Sequence, residues 1–184
     1  MITGNKIRLR ALEKSDLPKI CQWLNDEEVM YYWGDPGNTT SLAEVERWFN
    51  EELDRRHQDS RGYIIETPDG VPIGQISYMH LSPKNRDAEL GIQIGEKDYW
   101  DKGYGTDAIM AFLNYLFSEL QLHRVYLSTQ SYNTRAQKCY EKCGFVKEAV
   151  LRESTFVKGK YYDSIDMGIL RHEFNQQERA GSEE

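Results

Sequence analysis

One turn with two glycines, lying between a strand pattern and a helix pattern, constrains the fold of this chain more than any other feature. The turn spans Trp100–Thr106 and follows Glu89–Ile94, in which side chains alternate as in a β-strand. The segment after the turn has an apolar face at helical spacing, formed by Ile109, Phe112, Leu113, Leu116, Phe117 and Leu120. This order points backbone N–H groups and the positive end of a helix dipole at one place. The turn therefore predicts a site for a phosphate or another anion.

The turn alone does not separate an anion site from an ordinary strand–helix connection. It is not a P-loop, because no Gly-Lys-Ser/Thr follows, and it lacks the third glycine of a dinucleotide fingerprint. Gly103 and Gly105 allow the backbone to approach a ligand closely, and Lys102 adds a positive charge. Both interpretations stay open at this point of the chain.

Composition predicts one globular domain over residues 1–175. The chain has 184 residues, of which 39% are hydrophobic and 29% charged, and the polar segment 176–184 is expected to be disordered. No apolar run approaches the roughly 20 residues that span a bilayer, and the N-terminus lacks the apolar region of a secretory signal. The three cysteines fit no disulfide framework, so a cytoplasmic protein is expected.

The net charge of −7 restricts the partners that the chain can have. Nucleic-acid binding requires basic patches, so a nucleic-acid partner is not expected, and neither is a membrane. An acidic surface favours a cationic partner, although moderate negative charge also simply keeps a protein soluble. Cys139 and Cys143 stand four residues apart without a second Cys/His pair at ligand spacing, so no metal site is predicted.

The remaining patterns predict the order β-α-α-β-β-β-α-β-α-β-β, an α/β fold with a mixed sheet. The first helix is expected to begin after Ser15 or Asp16, and the second after Thr40 or Ser41. The inward-facing residues predicted for the second helix are Val45, Trp48, Phe49 and Leu53.

A segment rich in aromatic and turn residues, Val29–Gly37, is expected to be a loop. Aromatic faces and carboxylates together suit an organic cation, so Glu28 and Asp35 are candidates for binding a cationic substrate. The alternative is that these aromatic residues only cover the core beneath a loop.

Three signatures in register identify the family that the chain resembles. They are the turn at Gly103-Tyr104-Gly105, the run Asn133–Phe145 with the form N-x-x-A-x-x-x-Y-x-x-x-G-F, and the segment Phe156–Asp163. Together with the element order they resemble the GNAT superfamily of acetyl-CoA-dependent N-acetyltransferases. The third signature is similar to the branch that contains ribosomal-protein N-terminal and spermidine acetyltransferases. The resemblance covers Ile7–Leu170 and implies a mostly antiparallel sheet flanked by about four helices.

One position departs from the family pattern. The family usually has Gln or Arg three residues before the first glycine of the turn, and this chain has Trp100. Because backbone amides do most of the pyrophosphate binding, the substitution weakens the match without removing it.

The resemblance implies how the cofactor would be held. The pyrophosphate of acetyl-CoA would bind Lys102, Gly103, Tyr104, Gly105 and Thr106. Backbone groups of Ile92, Gln93 and Ile94 would pair with the pantetheine arm as with an added strand, and Asn133 would contact the same arm. Tyr140 would be the general acid that protonates the leaving thiolate; the alternative is an ordinary buried aromatic residue.

Glu89 is the first candidate for the general base. It lies on the strand face opposite Leu90, Ile92 and Ile94, so its carboxylate need not be buried in their core. Acting through a water, it could remove the proton from an incoming ammonium group. The alternative is an ordinary exposed carboxylate on a strand.

The sequence therefore predicts an enzyme that transfers acetyl from acetyl-CoA to a primary amine by direct attack, without a metal. The acidic charge and the aromatic and acidic segment Glu27–Asp35 favour a polyamine such as spermidine over a protein N-terminus or an aminoglycoside. A non-enzyme alternative is an acyl-CoA-binding regulatory module on the same fold. Sheet edges in this family often pair, so a homodimer is one expected assembly.

Overall fold

An eight-stranded sheet forms the centre of the protein. A computed structural model describes residues 1–34, 36–54 and 59–175, and the strand order is β1-β2-β3-β4-β5-β6-β8-β7. The strands are β1 (Ile2–Thr3), β2 (Arg8–Ala11), β3 (Arg61–Glu66), β4 (Pro72–Ser82), β5 (Asp87–Ile94), β6 (Arg124–Gln130), β7 (Val146–Val157) and β8 (Lys160–Leu170). The helices are α1 (Leu17–Leu24), α2 (Glu27–Trp33), α3 (Leu42–Asp54), α4 (Tyr104–Ser118) and α5 (Thr134–Lys142).

The sheet is mixed and mostly antiparallel, as predicted. Among the described strands, β5 and β6 are the neighbours that run parallel, and their connection contains α4. Every other pair of neighbouring strands is antiparallel.

Helix α4 covers the sheet with the apolar face that the sequence predicted. Ile109, Phe112, Leu113, Leu116 and Phe117 are each no more than 1% exposed. Burying one such side chain stabilises the fold by about 2 kcal/mol. These contacts fix the start of α4, and with it the glycine turn, against the carboxyl end of β5.

Two local predictions were wrong. Residues 29–33 of the expected aromatic loop belong to helix α2, which Asp26 caps by accepting hydrogen bonds from the N–H groups of Glu28 and Val29. Trp48, expected to face inward from α3, is 47% exposed, whereas Val45 on the same helix is buried. The apolar stripe of α3 is therefore narrower than its periodicity suggested.

Strands β5 and β6 separate beyond Glu89, and this separation creates the site. Their ladder pairs Asp87, Ala88 and Glu89 of β5 with residues 124–126 of β6. Beyond that point β6 continues beside β8 to Gln130, while residues 90–94 of β5 pair with β4 alone among the described strands. One edge of β5 is therefore open to an extended ligand.

Some expectations fall on residues outside the described ranges. They are the substrate-binding assignment of Asp35 and the disorder predicted for residues 176–184. Within the described ranges, no helix combines the length and the apolar character that a membrane span requires.

Candidate active site

The fork between β5 and β6 opens into a cleft of about 650 Å³. β5 and the glycine turn form one wall, and the end of β6 with the first turns of α5 forms the opposite wall. Side chains of α2 and β4 line the remaining side. Of the residues predicted from the sequence to act in the site, the cleft is lined by Glu89, Ile92, Gln93, Ile94, Gly103, Gly105, Thr106, Asn133 and Tyr140.

The glycine turn has the geometry of an anion site. Gly103 is the N-cap of α4 with φ 82°, a left-handed conformation that a side chain disfavours. The N–H groups of the first helical turn, at residues 104–106, have no carbonyl partner inside the helix. A methyl group at Gly105 would lie 3.8 Å from both Cys139 and Ile94, so the turn packs closely without being blocked. The turn therefore fits a pyrophosphate group.

Trp100, the departure from the family pattern, is integrated into this wall. Its indole Nε1 donates a hydrogen bond of 2.7 Å to the carbonyl oxygen of Ile94. The face of its ring lies 3.8 Å from the guanidinium of Arg135, which also lies 4.6 Å from the ring of Tyr32. The positive charge that an Arg would bring near the turn is thus supplied here by Arg135 of α5. Sequence reasoning missed Arg135.

The hydrogen bond from Trp100 affects the predicted pantetheine contacts. It occupies the carbonyl of Ile94, so this group already has a partner. Ile92 and Gln93 lie on the same open edge, although the Gln93 side chain accepts a hydrogen bond from Gln75 on β4.

Tyr140 lies on the inner face of α5. It is 9% exposed, packs edge-to-face on Phe145 with ring centroids 5.9 Å apart, and lines the cleft. Burial raises the pKa of its hydroxyl, with smaller contributions from Cys139 and Cys143. The hydroxyl therefore keeps its proton at neutral pH, which a general acid requires.

Asn133 has a structural role besides lining the cleft. Its Oδ1 accepts a hydrogen bond from the N–H of Ala136 and caps α5, and its Nδ2 donates to the carbonyl of Tyr32 at 3.2 Å. Tyr132 beside it donates to the carbonyl of Tyr31. The start of α5 is therefore fastened to the end of α2 across the cleft.

Cys139 is a second residue that the sequence analysis did not assign to the site. Its Sγ lies 3.3 Å from the hydroxyl of Thr106 and lines the cleft beside the glycine turn. The pKa of this thiol is lowered, first by its hydrogen bond with Cys143 and then, against desolvation, by Thr106. The cofactor wall therefore carries a nucleophilic thiol.

Glu89 stands at the fork, as the last residue of β5 that pairs with β6. Its side chain is 26% exposed, and its Oε2 lies 2.9 Å from Nδ1 of His80 on β4. The carboxylate therefore reaches the cleft and has one fixed partner.

The acceptor side of the cleft is aromatic. Val29, Tyr32 and Trp33 of α2 line it, together with Met79 of β4. Glu28 does not line it: its carboxylate lies 3.3 Å from the ammonium of Lys97, which also binds Asp26 at 2.8 Å. The aromatic residues that the sequence noted therefore reach the cleft, whereas the acidic residue chosen with them does not.

Two of the predicted pyrophosphate residues do not line the cleft. Lys102 is exposed, and its carbonyl accepts a hydrogen bond from the ammonium of Lys6 at 2.8 Å. The ring of Tyr104 packs edge-to-face on Tyr99, with the ammonium of Lys6 5.7 Å from its centroid. Any contact of these two residues with a phosphate would come through their backbone.

The described residues contain no group of three or more His, Cys, Asp or Glu side chains placed to hold a metal ion. The side chains that line the cleft include the carboxylate of Glu89, the phenol of Tyr140 and the thiol of Cys139.

Comparisons with known proteins agree with this geometry. The family model described as "Acetyltransferase (GNAT) domain" matches residues 6–146. The chain is 32% identical over 172 residues to a spermidine N(1)-acetyltransferase of Vibrio cholerae, covering 93% of this chain and 96% of the relative. It is 29% identical over 174 residues to the spermidine N(1)-acetyltransferase of Escherichia coli K12, covering 95% of this chain and 91% of the relative.

A solved structure is similar over almost the whole length. The crystal structure of spermidine N-acetyltransferase from Vibrio cholerae in complex with CoA and spermine superposes with a TM-score of 0.86 at 31% identity, covering 94% of this chain and 99% of that one. The predicted fold, enzyme class and cofactor are therefore confirmed. The chain belongs to the GNAT family and is an acetyl-CoA-dependent N-acetyltransferase.

Proposed function

We propose that this enzyme acetylates a primary amine of a polyamine such as spermidine. The observation that carries the proposal is that Glu89 and Tyr140 line one cleft at the fork of β5 and β6. A carboxylate suited to take a proton and a phenol suited to give one thus flank the place where an open strand edge ends. The names of the relatives, which match over nine-tenths of both chains, favour a polyamine as the acceptor.

The chemistry divides between the two walls. Acetyl-CoA supplies a thioester carbonyl: the amine nitrogen forms a bond to its carbon, and the carbon–sulfur bond breaks. The amides at the start of α4 hold the negative charge of the pyrophosphate. The backbone of Ile92 and Gln93 orients the extended arm along the open edge of β5.

Three proton movements complete the transfer. An amine is protonated in water, so the carboxylate of Glu89 takes one proton from the ammonium group, directly or through a water. The hydroxyl of Tyr140 gives its proton to the departing sulfur, and the second proton that the nitrogen loses on becoming an amide returns to the phenolate. Its buried position favours this role, because burial keeps the phenol neutral until a stronger base forms beside it.

The acceptor side suits a cation with an aliphatic stem. Trp33 offers an aromatic face and Met79 an apolar contact, while Glu89 supplies negative charge at the reacting end. The net charge of −7 favours the approach of a polycation. A cytoplasmic location and a homodimer stay predictions.

A thiol-release assay with a panel of amines tests the acceptor. We expect rapid release of CoA with spermidine and spermine, slow release with an aminoglycoside or a short peptide, and a monoacetylated polyamine by mass spectrometry. A reaction without amine gives the background hydrolysis. Release of CoA with the peptide but not with spermidine would replace the polyamine by a protein N-terminus. If none of the amines in the panel caused release, the result would support an acyl-CoA-binding module.

A further inference from the structure

A β-bulge in β4 brings an exposed histidine into contact with Glu89, which lines the cleft. The ladder between β4 and β5 pairs Met79 with Glu89 and Ser82 with Asp87. Between these two pairs the chain advances by three residues on β4 but by only two on β5. One residue is therefore extra on β4, and a bulge lies between these two pairs.

The bulge changes the direction in which His80 points. In a regular ladder the residue after Met79 would stand opposite Ala88, whose side chain is fully buried in the core. Residues opposite each other share a face, so His80 would point into the core. Instead its side chain is 69% exposed and its Nδ1 lies 2.9 Å from Oε2 of Glu89.

This direction has an energetic cost. His80 has φ 53°, a left-handed conformation that costs a residue with a side chain about 1 kcal/mol. Bulges of this kind are common beside active sites, where they redirect one side chain. The contact that the conformation makes is the one with Glu89.

We propose that His80 is a positioning residue for the general base: it holds Oε2 of Glu89 and leaves Oε1 for the acceptor amine. The proposal rests on the role given to Glu89 above. Because a carboxylate only accepts hydrogen bonds, Nδ1 of His80 is the donor to Oε2, and this contact fixes the direction of the carboxylate.

The surrounding charges are few. On β5, Asp87 and Glu89 are negative, and on β6 Tyr126 stands opposite Glu89. Burial first, and then the charges of Glu89 and Asp87, raise the pKa of Tyr126, so it stays neutral. Arg124 stacks 5.5 Å from the ring of Tyr126 and is paired with Glu148. On the β3 side, the carbonyl of Asp59 accepts a hydrogen bond from the N–H of Leu81. Within the described ranges, His80 is thus the side chain that makes a hydrogen bond with the carboxylate of Glu89.

Two substitutions separate position from charge. His80→Asn keeps a donor where Nδ1 stands and tolerates a left-handed backbone, but it does not titrate. His80→Gly removes the donor and relieves the backbone. We expect His80→Gly to lower kcat about 10-fold with an unchanged KM for acetyl-CoA, and His80→Asn to keep kcat within about 3-fold.

The comparison of the two variants gives a readout that a purely structural role would not move. The amide donor of His80→Asn is expected to restore the turnover that His80→Gly loses, while the KM for acetyl-CoA stays unchanged in both variants. Unchanged turnover in His80→Gly, or equal losses in the two variants, would overturn the proposal. Glu89→Gln separates the two roles: full activity in that variant refutes the base itself, whereas an inactive Glu89→Gln with a normal His80→Gly refutes only the positioning role.

Discussion

The cofactor half and the acceptor half of the cleft differ in the parts of the residues that form them. The cofactor half consists mainly of backbone: a left-handed Gly103, free amides at the start of α4 and the open edge of β5. The acceptor half consists of side chains from α2, β4 and β5, brought together over more than fifty residues of sequence. A backbone site leaves a short contiguous motif in the sequence, whereas a side-chain site leaves none. The residues that bind the cofactor could therefore be recognised from sequence motifs, whereas the residues that line the acceptor half form no such motif.

The largest effect is expected at Gly103 in the cofactor half. A β-branched residue at φ 82° strains the turn and moves the amides, so Gly103→Val should raise the Kd for acetyl-CoA about 100-fold. Gly159 is a matched control, because it has φ 80° in the β7–β8 turn and open space around it. Calorimetric titration with CoA should show normal binding in Gly159→Val. Equal losses in both variants would indicate a folding defect rather than a damaged site.

In the acceptor half, the substitution of Trp33 is expected to raise the KM for spermidine about 10-fold. Removing an aromatic face from a cation site costs about 1 kcal/mol, so Trp33→Ala should raise the KM for spermidine and leave the KM for acetyl-CoA unchanged. Trp48 is the control: it is 47% exposed, compared with 42% for Trp33, and it lies on α3 away from the cleft lining. An equal rise in both Michaelis constants of Trp33→Ala would mean that the two halves are not separate.

A smaller effect is expected at the boundary between the halves. Arg135 lies between Trp100 and Tyr32, so Arg135→Ala should weaken acetyl-CoA binding about 5-fold and Arg135→Lys less, since lysine keeps the charge but not the planar stack. Arg61→Ala, which loses a similar stack on Tyr63 outside the cleft lining, should bind normally. Binding by Arg135→Ala at the wild-type Kd would show that the guanidinium contributes only to packing.

The smallest effect concerns Cys139. Cys139→Ser should change the Kd for acetyl-CoA by less than about 2-fold, because serine still fits beside Thr106. The lowered pKa of the thiol means that its thiolate forms at lower pH than usual. Labelling of wild type by iodoacetamide should therefore already be fast at pH 7, slow when CoA is bound, and absent at this position in Cys139→Ser. Equal labelling with and without CoA would place the thiol away from the cofactor.

Much of the fold could be predicted because it follows from local patterns. The apolar spacing of α4 predicted its buried face. Helix α2 was missed because the turn residues and aromatic residues of Val29–Gly37 are typical of a loop.

The site could be predicted only where one segment supplies it. Tyr140 belongs to the same run as Asn133 and Gly144, so its assignment required no knowledge of tertiary contacts. Arg135 lies in that run too, but its stack on Trp100 depends on where α5 meets the glycine turn. His80 reaches Glu89 through a bulge, and a one-residue irregularity leaves no mark in the alternation of β4.

The proposed mechanism requires that Tyr140 supplies the proton at the fork while the backbone turn holds the cofactor. The most direct test is the rate of CoA release with spermidine in Tyr140→Phe, measured beside the Kd for CoA. We predict that kcat falls about 100-fold and that the Kd stays within about 2-fold of wild type. Wild-type turnover in Tyr140→Phe would contradict the claim.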